Sequence, residues 1–198
     1  MKVYNALGQL ASTQYDGVIQ NAKRSMFLSL VGGWSSITNP DGGTTFLPET
    51  AGKQNFRGCM FSGTASTDIF HEFSVAMPDN WDLGTITARP YFVTNDAETT
   101  GTIIFGLQGW AYGDGDTLTQ TWTATSTAAQ LSTTTLSVSA LGLMRKGATT
   151  GAITIGGTPA KGDLVQFRTY RLQTDTCLDN VILLGWYITY GTNNYSDV

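Results

Sequence analysis

The chain has 198 residues, enough for one domain with a core that needs neither metal nor disulfide to hold it. Charged residues make up 13%, against a usual ~25%, and 11 Lys and Arg are outnumbered by 15 Asp and Glu. The cations are scattered, with Lys23–Arg24 and Arg145–Lys146 the adjacent pairs, so direct nucleic-acid binding, which needs clustered cations, is not expected.

Met1–Leu10 carries one Lys and no apolar run of the secretory kind, and no stretch approaches the ~18 apolar residues of a membrane-spanning helix. Residues 1–67 are the least regular part. Met26–Val31 reads as a short strand, and Gly32–Gly33, Asn39–Gly43, Pro48 and Gly52 read as turns. This section is expected to be an irregular N-terminal arm or long loops with one or two strands, followed by the β-sandwich domain over 68–198.

From Asp68 the apolar period becomes two. Ile69, His71, Phe73, Val75 and Met77 share one strand face, and Phe70, Glu72, Ser74 and Ala76 share the other. Pro78–Asn80 is a turn. Leu83–Val93 follows as a strand that Pro90, lacking an N–H, places at an edge or a bulge. Thr102–Tyr112 sets Ile104, Gln108, Trp110 and Tyr112 on one face. Thr117–Thr127 alternates threonine with other residues and reads as a further strand. Thr134–Ser139 and Ala152–Ile155 are shorter candidates. Asp163–Leu172 puts Leu164, Gln166, Arg168 and Tyr170 together, and Val181–Tyr190, apolar on both faces, reads as a central strand. About eight strands with no long helix predict an all-β, jelly-roll-like antiparallel β-sandwich.

Residues for catalysis are sparse. The single histidine, His71, lies in line with Ile69 and Phe73 and is expected to be a packed, hydrogen-bonded core residue. One His and two distant cysteines, Cys59 and Cys177, do not make a closed zinc shell. The cysteines read as buried free thiols, with a single disulfide as the alternative. Asp114–Gly115–Asp116 reads as a polar turn rather than a calcium loop, since the EF-hand spacing is missing. Glu72 is the one carboxylate in mid-strand. It points away from the adjacent His71, so these two form no acid–base dyad, although a composite site between subunits stays open. No cofactor is implied. Trp34, in a Gly-rich loop, and Trp81, in a turn, are the tryptophans expected at the surface. With Tyr112 they are the candidate ligand contacts.

Met77–Phe92, with its Pro78-x-x-Trp81-Asp82-x-Gly84-Thr85 turn, resembles small structural proteins of tailed bacteriophages. Gly101–Gly109, Gly115–Asp116, Ile153–Val165, Phe167 and Arg171 fit the same pattern in order, and Phe92 stands where those proteins often carry Trp. The resemblance covers about 68–190. It implies a non-enzymatic virion protein, assembled in the host cytoplasm. The first expectation is a homotrimeric capsid decoration or cement protein seated on the major capsid protein. The alternative is a head-fibre, tail-fibre or tail-tip module that recognises a host surface glycan.

Overall fold

Alternating apolar residues become strands wherever one face can be buried, and that rule accounts for most of this chain. The computed structural model describes residues 2–4, 10–13, 22–37, 40, 44–47, 56–95, 99–119, 121–122, 129–139 and 142–192. Among them run thirteen strands: β1 (Lys2–Tyr4), β2 (Leu10–Thr13), β3 (Ala22–Ser29), β4 (Trp34–Ser35), β5 (Thr44–Leu47), β6 (Phe56–Phe61), β7 (Ile69–Ala76), β8 (Thr87–Thr94), β9 (Thr99–Tyr112), β10 (Gln130–Ser139), β11 (Met144–Lys146), β12 (Leu164–Arg171) and β13 (Val181–Thr192).

The front sheet has the order β10-β9-β12-β7-β4. The back sheet has the order β11-β8-β13-β6-β5, with β3 also on β13, while β1 and β2 pair with each other. Eight strands nest as antiparallel pairs: β9 with β10, β8 with β11, β7 with β12 and β6 with β13. The body is thus one long hairpin, turned at the β9–β10 connection, whose successive pairs fall alternately in the two sheets. That winding is a jelly roll, so the expected β-sandwich is the architecture found.

The 67/68 boundary does not mark a break. β3 and β6 both pair with β13, and β4 pairs with β7, so part of the expected arm is sheet. The expected turn at Gly32–Gly33 closes a short 3-10 helix, Leu30–Gly32, while 39, 41–43, Pro48 and Gly52 lie outside the described residues. The expected strand at 117–127 is absent over its described part: 117–119 and 121–122 are irregular, and 120 and 123–127 lie outside the described residues. Ala152–Ile155 forms only an isolated bridge, Ile153 to Ile86. Pro90 lies one strand in from the edge. Its carbonyl accepts from Gly147 N–H, one residue past the end of β11, so the missing N–H falls where the ladder has already stopped.

Between the sheets lie Phe61, Phe92, Phe105, Phe167, Trp81 and Trp186, all essentially fully buried. Each contributes about 1.5–3 kcal/mol or more by leaving water. Trp186 Nε1 donates to Thr169 Oγ1 (3.0 Å), which donates to Gly106 O (3.1 Å), so the one polar group of that ring is satisfied.

Arg171 is a buried charge. Its guanidinium forms a forked pair with Asp175, Nε to Oδ2 at 2.7 Å and Nη2 to Oδ1 at 3.0 Å. It also donates to the carbonyls of Phe61 (3.1 Å), Asp179 (2.8 Å) and Cys177. The β12–β13 connection is thereby tied to the end of β6.

Candidate functional site

The four strands β4, β7, β12 and β9 lie side by side, so their outward residues form rows across the front sheet. Register places Trp34 opposite Glu72, Glu72 opposite Arg168, and Arg168 opposite Gln108. The next row holds Ser74, Gln166 and Trp110, and the one beyond it Ala76, Leu164 and Tyr112. On the other side lie Phe70, Tyr170 and Gly106. Adjacent strands are ~4.8 Å apart and alternate residues ~6.7 Å, so the face carries one polar row, buried at its Gln108 end, bordered by aromatics within roughly 15–20 Å.

Contacts fix these side chains. Gln166 Nε2 donates to Glu72 Oε2 at 2.6 Å. The Arg168 guanidinium lies 4.4 Å from the Phe70 ring centroid and 5.2 Å from that of Trp122, which the β9–β10 connection brings to this face. A guanidinium placed over two rings in this way is a contact that Arg makes better than Lys. Tyr170 packs against Phe70 with centroids 5.6 Å apart and lies over Gly106, where a Cβ would come within 2.5 Å of Tyr170 Cε1. Glycine at 106 is therefore what lets the ring lie down.

Burial lowers the Arg168 pKa, with Glu72 opposing it, and raises that of Tyr170, with Asp68 adding to the rise. Tyr112 is raised by burial and then by the carboxylates of Glu72 and Asp116. Neutral phenols, one stacked cation and amide groups are suited to hydrogen-bonding hydroxyls while rings cover C–H faces. Among the described residues no group of three or more His, Cys, Asp and Glu could hold a metal ion.

Of the three surface residues expected, Trp34 is 47% exposed and Tyr112 half-buried, both on this face but at opposite corners of it. Trp81 corrects the expectation: it is 1% exposed. Its turn is pinned to β13 by Asp82 N–H donating to Gly191 O, and its Nε1 donates to Gly84 O, so the indole plugs one end of the sandwich. His71 is 2% exposed, as expected, with Nε2–H donating to Leu30 O at 3.1 Å and Cys59 Sγ 3.4 Å from the same nitrogen. Cys59 and Cys177 are both buried, and neither is in a disulfide. The Asp114–Asp116 segment is a polar turn, with Gly113 N–H donating to Asp116 Oδ2. Arg168, Gln108, Phe70, Tyr170 and Trp122 were not among the expected contacts. Alternation placed the first four on strand faces, but only register shows that those faces adjoin.

No family model matches the chain, and no curated protein matches it. Among solved structures it is similar to the CBM22-1–GH10 modules of Clostridium thermocellum endo-1,4-β-D-xylanase 10B, complexed with xylohexaose. Identity is 15% over 89% of this chain and 29% of that one, with a TM-score of 0.43. It is also similar to a structure described as part of a study of carbohydrate-binding modules from the β-sandwich superfamily, at 9% identity over 87% of this chain and 57% of that one, with a TM-score of 0.30. The chain thus spans less than a third of the first and little over half of the second.

Proposed function

We propose that this protein is a non-enzymatic recognition module of a phage particle, and that the outer face of its front sheet binds a glycan of the host surface. The observation that carries this reading is the row Trp34–Glu72–Arg168, bordered by Phe70, Tyr170, Trp110, Tyr112 and Trp122. Hydroxyl recognition needs fixed donors and acceptors, and the Gln166–Glu72 bond and the stacked Arg168 supply groups already held in place. Affinity gel electrophoresis against neutral and host-derived glycans tests it. Trp34→Ala and Arg168→Lys should each weaken retardation by about tenfold, roughly 1.4 kcal/mol. A panel in which no glycan retards the protein, or in which both variants bind like the parent, would overturn it.

Capsid decoration is the second reading, supported by the low charge and by two exposed apolar side chains near one end of the sandwich. Ile37 is fully exposed and Leu178 72% exposed, and both lie at the end where β7 begins and β12 finishes. Copy number per particle separates the two: hundreds of copies favour decoration, a handful a fibre or tail tip.

A further inference from the structure

The opposite side of the sandwich carries a second exposed cluster. On the outer face of the back sheet, register aligns Phe27 with Tyr187 and Tyr187 with Arg89, and in the next row Gly185 with Tyr91 and Tyr91 with Lys146. Phe27 is 49% and Tyr187 40% exposed. Phe27 meets Tyr91 edge to face with centroids 5.8 Å apart, and Tyr91 meets Tyr187 at 6.3 Å. Gly185 makes this arrangement possible, since a Cβ there would lie 2.5 Å from Phe27 Cζ. Two cations flank the rings. Lys146 Nζ stands 5.8 Å from the Tyr91 centroid, and Arg89 is held by Nε and Nη2 donating to Thr149 Oγ1.

Charge and size select the ligand. The outward positions Ser25, Phe27, Thr87, Arg89, Tyr91, Met144, Lys146, Tyr187 and Thr189 include two cations and no acid, in a chain whose net charge is −4. Among the described residues one carboxylate, that of Asp82, lies over Gly191 at the far end of this face, beside Lys23 in register. Further along the sheet the other way, Ile182, Leu184 and Val93 are already buried. What remains open is about four strands wide and five residues long, on the order of 300 Å². A stable protein partner needs roughly 800 Å² per side. Two copies meeting here would oppose cation to cation. A densely charged polyanion such as nucleic acid would meet the acidic remainder of the surface. A sugar chain with sparse carboxylates meets none of these objections: its C–H faces suit the rings, and its carboxylates suit Arg89 and Lys146.

We infer that the Phe27–Tyr91–Tyr187 face is a second, separate binding site, and that it takes a uronic-acid-containing glycan. Affinity electrophoresis in polygalacturonate, with neutral dextran and xylan as controls, tests this. Polygalacturonate should retard the protein, less so as salt rises. Tyr187→Ala and the double variant Arg89→Gln/Lys146→Gln should each reduce retardation at least fivefold, while thermal unfolding confirms that both fold. Trp34→Ala, on the other sheet, should leave polygalacturonate binding unchanged, so failure of the front-face reading and failure of this one are separable. Several results would overturn the inference: no retardation, retardation untouched by the back-face variants, loss with Trp34→Ala alone, equal binding to single-stranded DNA, or a dimer in sedimentation that Tyr187→Ala dissolves.

Discussion

Arg171→Met is the sharpest test of how the sandwich is held. The side chains of Arg171 and Asp175 are 2% and 3% exposed, so removing the cation strands a carboxylate away from water. Three carbonyls, those of Phe61, Cys177 and Asp179, each lose a guanidinium hydrogen bond in the same step. Breaking one side of a buried pair costs about 3–5 kcal/mol. In a domain of this length each kcal/mol moves Tm by about 2–4 °C, so a fall of roughly 6–20 °C is expected. Urea unfolding followed by fluorescence of the buried Trp81 and Trp186 gives the free energy directly. Arg171→Met/Asp175→Leu, which removes both charges, should recover part of the loss but not all of it, because the carbonyls still lack the guanidinium's hydrogen bonds. A single variant within about 1 kcal/mol of the parent, or a double variant no better than the single, would refute the view that this guanidinium ties β12–β13 to β6.

Gly106→Ala forces Tyr170 off the sheet, and since the ring's far end can swing, the stability cost should be under about 2 kcal/mol, while front-face glycan binding, measured by affinity electrophoresis, falls with the displaced Tyr170–Phe70 pair. Leu83 holds φ at 62°, a left-handed conformation that costs a side chain about 1–2 kcal/mol, so Leu83→Gly should raise the urea midpoint, and a lowered midpoint would show that its partly exposed side chain matters more. Burial is the leading cause of the raised pKa values of Tyr170 and Cys177. In the unfolded chain these groups ionise first, at about pH 10 and 9, so they leave stability flat at neutral pH and lower it as pH climbs beyond those values. Tyr170→Phe should remove part of that alkaline slope in unfolding curves taken across pH.

Much of the strand content was legible because one-sided burial imposes a period of two. Val165 and Phe167 inward against Gln166 and Arg168 outward is the case in point. The front-face row was not legible, because Trp34, Glu72, Arg168 and Gln108 come from four strands and alternation says nothing about which strands adjoin. Register is set by long-range pairing, and β4, two residues long, leaves almost no periodic signal. The same gap explains Trp81. A turn tryptophan is exposed if the turn stands clear, and whether Asp82 reaches Gly191 is a tertiary fact. Threonine alternation misled over 117–119 and 121–122, the described part of that stretch, for a related reason: β-branched residues favour strands only where a neighbour offers a ladder.

β13 shows how one residue can serve both the core and a surface. Its run Val181–Tyr190 is apolar on both sides, and strict alternation would send Trp186, Ile188 and Tyr190 to the face opposite Val181 and Leu183. A bulge between Leu183 and Gly185 shifts the register, so all five point into the sandwich. The same shift turns Tyr187 outward beside Tyr91 and lets Phe27 rest on Gly185. Core filling and the back-face cluster are therefore one structural event. Gly185→Ala puts a methyl against Phe27 and the Leu28 carbonyl, an overpacking that costs about 1–3 kcal/mol, and should weaken polygalacturonate binding as well. Phe27→Ala, which empties the space above Gly185, should lose binding with a smaller stability change. Measuring both quantities on both variants decides the matter: a Gly185→Ala protein as stable as the parent would mean that the bulge does not couple the core to that face.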